Sequence, residues 1–421
     1  MAPMIILCLA VSYSCFWLSS GSDRNAFSPQ RFFLLFHFIH IFGCFILGAK
    51  FPLDTPGLIW LTSVPVFWLV GVELADRAKD LVTSHHAHKS LYIALSYSKR
   101  LIIACCAIGA ITLVNDWARS GASINNIINL SLVRTADRYT GVAGQSSLTN
   151  ITIIPAYLAC MLAGLRFRTT SRIRSKWLLI LPIVIVAGIG FANNTKGSII
   201  YATILWSSGY ITYSFLSDKP VLKIKTLLAV LVGMYVIIQL FALMQSIRYG
   251  GALSRSDMIA VLQIYGLAQI SAFTLWFTDV ALFQDTLQLG QRSFGSVARL
   301  IGMGATSEDL TIYLAAVDGN LTTTVTTAYA ELIKDFGIYG ALLAIVIGGA
   351  IATVVSRSAK RLKYAAVPLC CLIYSGILLS PITSILTYST FLAAFILFIF
   401  LDIAKSVSLA HSVQAKNRSL T

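Results

Sequence analysis

GIYGALLAIVIGGAIATVV, residues 337–355, followed at once by SRSAKRLK, residues 356–363, decides the class of fold. The first run has no charged residue, and the second carries Arg357, Lys360, Arg361 and Lys363. A run of about 20 apolar residues, coiled as an α-helix, matches the hydrocarbon thickness of a bilayer. No water is available there, so the backbone must bond to itself, and a helix does so within one segment. The basic tail marks the end of such a helix that stays on the cytoplasmic side.

The same pattern recurs along the 421 residues, of which 57% are hydrophobic and 12% charged, with a mean hydropathy of +0.78. A soluble domain carries about 25% charged residues, so most of this chain is not solvated by water. Candidate spans lie at 3–20, 31–49, 57–75, 101–115, 148–165, 177–192, 199–216, 226–246, 337–355, 365–381 and 386–404. The fold class expected is all-α, a polytopic helical membrane protein of about eleven transmembrane helices. It forms one integral membrane domain over 1–421, without repeats or low-complexity segments. Barrel strands would alternate polar and apolar residues, which these runs do not. The start, MAPMIILCLAVSYSCFWLSS, has no basic leader or small-residue cleavage site, so a retained first span is expected. Cys8, Cys15, Cys44, Cys105, Cys106, Cys160, Cys370 and Cys371 all fall in apolar runs and read as small buried hydrophobes.

Placing the C-terminus in the cytoplasm and the N-terminus outside puts 22 of the 32 Lys and Arg on the cytoplasmic side. Six acids lie inside and eleven outside, so the net +15 divides into about +16 inside and −1 outside. The basic loops are short, scattered and membrane-flanking. They suit anionic lipid headgroups and exclude nucleic acid as the reason for the basic pI. MIAVLQIYGLAQISAFTLWF, 258–277, is also uncharged. A span there would send RSAKRLK outside, so it reads as a helix lying at, or re-entering, the outer interface. Two outer loops remain, 116–147 and 247–336, and function is expected in them.

Those loops are rich in arginine. Arg134 and Arg138 are four apart and share a helix face; Arg248 and Arg255 follow the end of a span; Arg292 and Arg299 come later. A planar guanidinium with paired donors suits phosphate or pyrophosphate, whereas lipid anchoring or pairing with Asp is the plainer explanation of any single one. The six histidines lie elsewhere. His85, His86, His88 and His411 are cytoplasmic, and His37 and His40 sit in the second span, where bonding a neighbouring helix accounts for them. Any general base outside is therefore a carboxylate. Glu331 and Asp335 stand one turn apart immediately before the ninth span. Partial desolvation at the membrane edge would raise a carboxylate's pKa and suit it to that task. Ordinary helix N-terminal acids would look the same. No metal-ligand spacing, phosphate-cradling loop or nucleophile elbow occurs, so no metal and no cofactor is expected.

FSPQRFF (27–33), the large late outer loop and NLTTTVTTAYAELIKDFGIYG (320–340), with its Asp335-Phe336-Gly337, resemble the bacterial O-antigen polymerase group, the oligosaccharide repeat-unit polymerases. The resemblance implies a GT-C-like membrane fold whose periplasmic loop contains interfacial helices, in the bacterial inner membrane. It implies an inverting, metal-independent glycosyl transfer at the periplasmic face. Undecaprenyl-pyrophosphate-linked glycans would be the substrates, and a chain-length-regulating co-polymerase a partner. In that reading Arg134, Arg138, Arg248 and Arg255 bind the pyrophosphate, Asp335 is the catalytic base, and Glu331 stands in reserve. The related ligases typically use an outer-loop histidine, which has no counterpart here. A lipid-linked oligosaccharide flippase or other polytopic transporter is the alternative. It would want charges lining a path through the spans, whereas the acids here reach only span ends, at Glu73 and Asp402. A membrane-bound acyltransferase would need a catalytic histidine near the membrane face.

The charge distribution makes a direct prediction. Reporter fusions at 170, 222 and 360 report from the cytoplasm, and fusions at 130 and 305 from the periplasm. A periplasmic signal at 360 would invert the assignment.

Overall fold

A backbone without water must close its own hydrogen bonds, and helices occupy every predicted stretch except 226–246, which lies almost wholly outside the described residues. The computed structural model describes residues 2–19, 27–47, 51–78, 99–119, 147–170, 173–193, 195–218, 239–240, 242–244, 263, 268–283, 286–303, 315–318, 321–323, 327–361 and 365–418. In chain order the helices are α1 (Ala2–Leu18), α2 (Pro29–Leu47), α3 (Thr55–Arg77), α4 (Lys99–Arg119), α5 (Ser147–Phe167), α6 (Ile173–Ala192) and α7 (Lys196–Leu216). Then come α8 (Gln269–Asp279), α9 (Gly295–Leu300), α10 (Ala328–Lys360), α11 (Ala366–Leu379) and α12 (Ser389–Arg418). Among the described residues, five helical segments are long and apolar enough to cross a membrane: Pro29–Ile46, Thr55–Arg77, Leu148–Phe167, Ser175–Ala192 and Ala328–Lys360.

Among the described residues, one element departs from the all-helical expectation. Strands β1 (Ala315–Asp318) and β2 (Leu321–Thr323) pair antiparallel, with an irregularity between Ala316 and Asp318. The sequence carries a hairpin cue there, Asp318-Gly319, which the expectation of an all-α chain did not include.

The chain forms two compact units. The first comprises Met1–Ser84, Ser254–Ser356 and Gly376–Ser389. In it α1 packs on α2 and α3, and α8 packs on α3 and α2. Its aromatic core stacks Phe33 on Trp68 at 4.0 Å and gathers Trp60, Phe273 and Tyr329. At about 16 Å, α8 is too short to cross a bilayer. It is buried at Gln269, Ile270, Ser271, Ala272, Phe273, Thr274, Trp276 and Phe277. Protein therefore surrounds this half of the 258–277 stretch, as a re-entrant segment requires and an exposed interfacial helix does not. His40 bonds Gln269 at 3.2 Å and His37 bonds Tyr329 at 3.2 Å, so both intramembrane histidines are tied to neighbouring elements.

The second unit comprises His85–Leu253, Arg357–Ser375 and Thr390–Thr421. Its centre is α5, buried at every residue from Ala156 to Leu165 and flanked by α4, α6 and α7. Lipid tails are as apolar as leucine, so helices associate through close packing and buried polar bonds rather than through a hydrophobic effect. Gly164 and Gly209 supply the closeness. A Cβ at Gly164 would run into the Trp206 carbonyl, and one at Gly209 into the Met161 carbonyl. Thr112 and Thr152 share a hydroxyl–hydroxyl bond between α4 and α5. All eight cysteines are free and buried.

Gly164→Ala and Gly209→Ala push α5 and α7 apart, and each costs about 1–3 kcal/mol. Gly43→Ala meets nothing within 4 Å and stays within about 0.5 kcal/mol of wild type. Thermal unfolding of the detergent-solubilised protein measures the difference. Equal stability of all three variants would remove close approach as the organising contact.

Candidate functional site

The site grows from a broken helix. At Gly337 the backbone of α10 turns to φ 72°, ψ 177°, which divides the helix into Ala328–Phe336 and a long apolar run from Ile338. A positive φ favours glycine, which lacks the Cβ that would clash. The run from Ile338 to Lys360 alone measures about 35 Å, enough for the bilayer core. Residues 328–336 thus stand ahead of the spanning part. An uninterrupted helix would pair the carbonyls of Lys334 and Asp335 with the amides of residues 338 and 339. Here they accept from Gln288 N and Leu289 N, each at 3.1 Å.

The Asp335 side chain extends the same seam. Its Oδ1 accepts from Arg292 N at 3.0 Å and its Oδ2 from Ser293 N at 2.6 Å. The carboxylate is fully buried. Leu289 and Gly290, at φ 47° and φ 90°, curve the loop around it. Phe294 meets Phe336 edge-on at 6.3 Å. Asp335 thus fastens the 286–294 loop to the end of the short helix. Both of its oxygens thus accept from backbone amides of its own chain.

Glu331, one turn earlier, has a different environment. Thr383 Oγ1 donates to its Oε1 at 2.6 Å and Ser384 N to its Oε2 at 2.8 Å. It is only partly buried as a residue. Burial pushes the carboxyl up to about 7, against the lowering effect of the Thr383 and Ser384 bonds; the Asp335 charge adds to the rise and Lys334 opposes it. The 380–387 turn is bound on both sides. Ala328 N donates to Ser380 O at 2.9 Å, Ser384 Oγ to Ser293 O at 2.7 Å, and Thr387 Oγ1 to Arg292 O at 3.0 Å.

Cations complete the cluster. Arg292 Nε donates to Gln288 Oε1 at 2.7 Å, and Lys334 Nζ lies 5.3 Å from the Trp276 ring centre. Burial and the Arg292 charge lower the Lys334 ammonium, while Glu331 supports it. Arg299 reaches the turn, donating to Thr387 O at 2.8 Å. Among the described residues, Arg292 and Arg299 are the outer-loop arginines bound to the segments that hold the two carboxylates. Arg134, Arg138, Arg248 and Arg255 lie outside the described residues. Thr383, Ser384 and Thr387 escaped the sequence reading. Their signal was there in SPITSILT, 380–387, a polar interruption between two apolar runs. Among the described residues no group of three His, Cys, Asp or Glu is placed to hold a metal.

Asp335→Ala strands two buried amides and costs about 2–4 kcal/mol. Asp335→Asn keeps one acceptor but sets an NH2 against the second amide, and falls in between. Thermal unfolding reads both, and an Asp335→Ala protein as stable as wild type would strip the seam of its weight. No family model matches this chain, and neither does any curated protein or solved structure.

Proposed function

We propose that this chain is a polymerase that joins lipid-linked oligosaccharide repeat units into O-antigen or a related surface polysaccharide at the periplasmic face of a bacterial inner membrane. It spans the bilayer eleven times, with the N-terminus periplasmic and the C-terminus cytoplasmic, in a GT-C-like arrangement. The observation that carries the reading is Glu331, a carboxylate raised to about 7 just ahead of a membrane-spanning run, with Arg292 and Lys334 in the same cluster.

The chemistry follows from those groups. The acceptor sugar hydroxyl attacks the anomeric carbon of the donor glycan from the face opposite the leaving group. The new glycosidic bond forms as the bond to the undecaprenyl pyrophosphate oxygen breaks, which inverts the anomeric centre. Glu331 accepts the hydroxyl proton, and a base with a pKa near the working pH does this most effectively. Asp335 positions the loop that carries Arg292. The leaving pyrophosphate gains charge, and Arg292, Lys334 and the loop arginines Arg134, Arg138, Arg248 and Arg255 offset it without a metal. A chain-length-regulating co-polymerase acts on the product length.

A strain lacking the gene, complemented by wild type or by Glu331→Gln, tests the assignment through the length of its surface glycan. The deletion strain shows single-repeat lipopolysaccharide. Glu331→Gln loses about 100-fold or more in rate, the range of general-base catalysis. The wild-type rate rises with pH through about 7, because the base must be deprotonated to act. Full polymer from Glu331→Gln would remove it from the mechanism. A purified polymerase extends lipid-linked repeats in detergent, where no bilayer exists. Absence of extension there, with translocation in vesicles, would favour the flippase.

A further inference from the structure

The segment around α9 is built inside out. Ser293, Gly295, Ser296 and Ala298 are buried. They lie on the side held to the 384–387 turn, where Ser384 Oγ donates to Ser293 O at 2.7 Å and Arg299 donates to Thr387 O at 2.8 Å. The other side presents Phe294, Val297, Leu300 and Ile301, three or four residues apart and all exposed, Leu300 at 75%. A short helix bathed in water does the reverse and turns its serines outward. Leu287 and Leu289, in the loop ahead of α9, are exposed as well. From 286 to 303 the charged side chains are Arg292 and Arg299, and both are engaged, Arg292 with Gln288 and Arg299 with carbonyl oxygens. A contiguous apolar surface of this kind marks a membrane or protein contact.

The place of the surface says which. The loop is fixed at the break in α10, where the spanning run begins. Leu289 N donates to Asp335 O at 3.1 Å, Leu287 lies 3.5 Å from where a Cβ on Gly337 would stand, and Phe294 meets Phe336 edge-on. Beyond Gly337 the exposed side of α10 runs through Tyr339, Leu343, Ile347, Ile351 and Val354. Steps of three and four put these on one face, the face that a spanning helix turns to lipid. The exposed leucines of the loop therefore stand at the level where that lipid-facing stripe starts. Six helical residues rise about 9 Å, so the whole of α9 stays close to Phe336. That reach matches the roughly 5–10 Å depth over which interfacial helices bury their apolar faces.

We propose that Leu287, Leu289, Phe294, Val297, Leu300 and Ile301 form a membrane-docking surface, seated among the phospholipid chains of the leaflet at the Gly337 end of the span. The interfacial placement expected of 258–277 thus passes to a different segment, since the described half of that stretch is enclosed by protein. Lipid holds from one side the loop that Asp335 and the 384–387 turn hold from the other. The inference is independent of the polymerase reading.

The full-length protein in phospholipid nanodiscs, carrying a nitroxide at Val297→Cys, Leu300→Cys, Leu343→Cys or Ala78→Cys, tests the surface. Wild type, whose own cysteines are buried, sets the background. Leu343 is the lipid reference on α10, and the exposed Ala78, past the basic end of α3, is the water reference. Labels at 297 and 300 collide with oxygen more than with a water-soluble nickel chelate, as at 343 and unlike 78. Chelate access equal to that at 78 would put the face in water. Shielding from both reagents would put a protein on it, a second copy included. Either result overturns the proposal. Unsubstituted protein gives a second readout. Phosphatidylcholine with a photoreactive group on an acyl chain cross-links to residues 294–301 as well as to 339–354, and cross-linking confined to 339–354 would overturn the surface.

Discussion

A carboxylate withdrawn from water has to find hydrogen-bond donors, and Asp335 finds them on the backbone of a distant segment. Its two oxygens take the amides of Arg292 and Ser293, while the carbonyls beside the break at Gly337 take those of Gln288 and Leu289. The break and the loop solve one problem together. A helix interrupted at the edge of a membrane exposes carbonyls that lipid cannot satisfy, and a loop outside the helix has amides that burial would orphan. Folding one against the other closes both sets. The 380–387 turn locks on through Ser384 and Thr387, and Glu331 is held where these three segments meet.

The same demand for self-sufficiency shapes the packing. Within the first unit a Cβ at Gly71 would run into the Val346 carbonyl, and within the second Gly164 and Gly209 play the corresponding part. Close backbones bring more side-chain atoms into contact, which is what stabilises helix pairs where burial of apolar surface gains little. The polar groups left inside are short-range and paired, as in Thr112 with Thr152 and His40 with Gln269. These contacts account for intramembrane histidines and threonines without assigning them chemistry.

The helices were legible in the sequence because an apolar run of bilayer length has few alternatives, as 148–165 and 337–355 illustrate. The placement of Glu331 and Asp335 ahead of a span was legible for the same reason. Their different roles were not. Spacing puts both on one helix face, yet the partners that distinguish them come from residues 292–293 and 383–384, some 40 to 50 positions away. Arg292 was visible as one outer arginine among several, and only the loop's fold singles it out. The β1–β2 hairpin was missed because its cue was two residues long within a loop whose dominant pattern is helical.

Two acids of nearly equal intrinsic strength thus end in opposite conditions, and the nature of their donors explains it. Asp335 is fully buried and is met by two backbone amides, which can only donate. Glu331 is met by one amide and one hydroxyl. A hydroxyl both donates and accepts, so Thr383 can serve the carboxylate as donor and the carboxylic acid as acceptor. The Glu331 site therefore tolerates both protonation states, whereas the Asp335 site offers donors alone. A group that must take up a proton and give it back needs the first kind of site, and a group that must hold a loop in place needs the second. Their spacing of a single turn lets one helix end provide both, with the anchored loop bringing Arg292 into the same cluster.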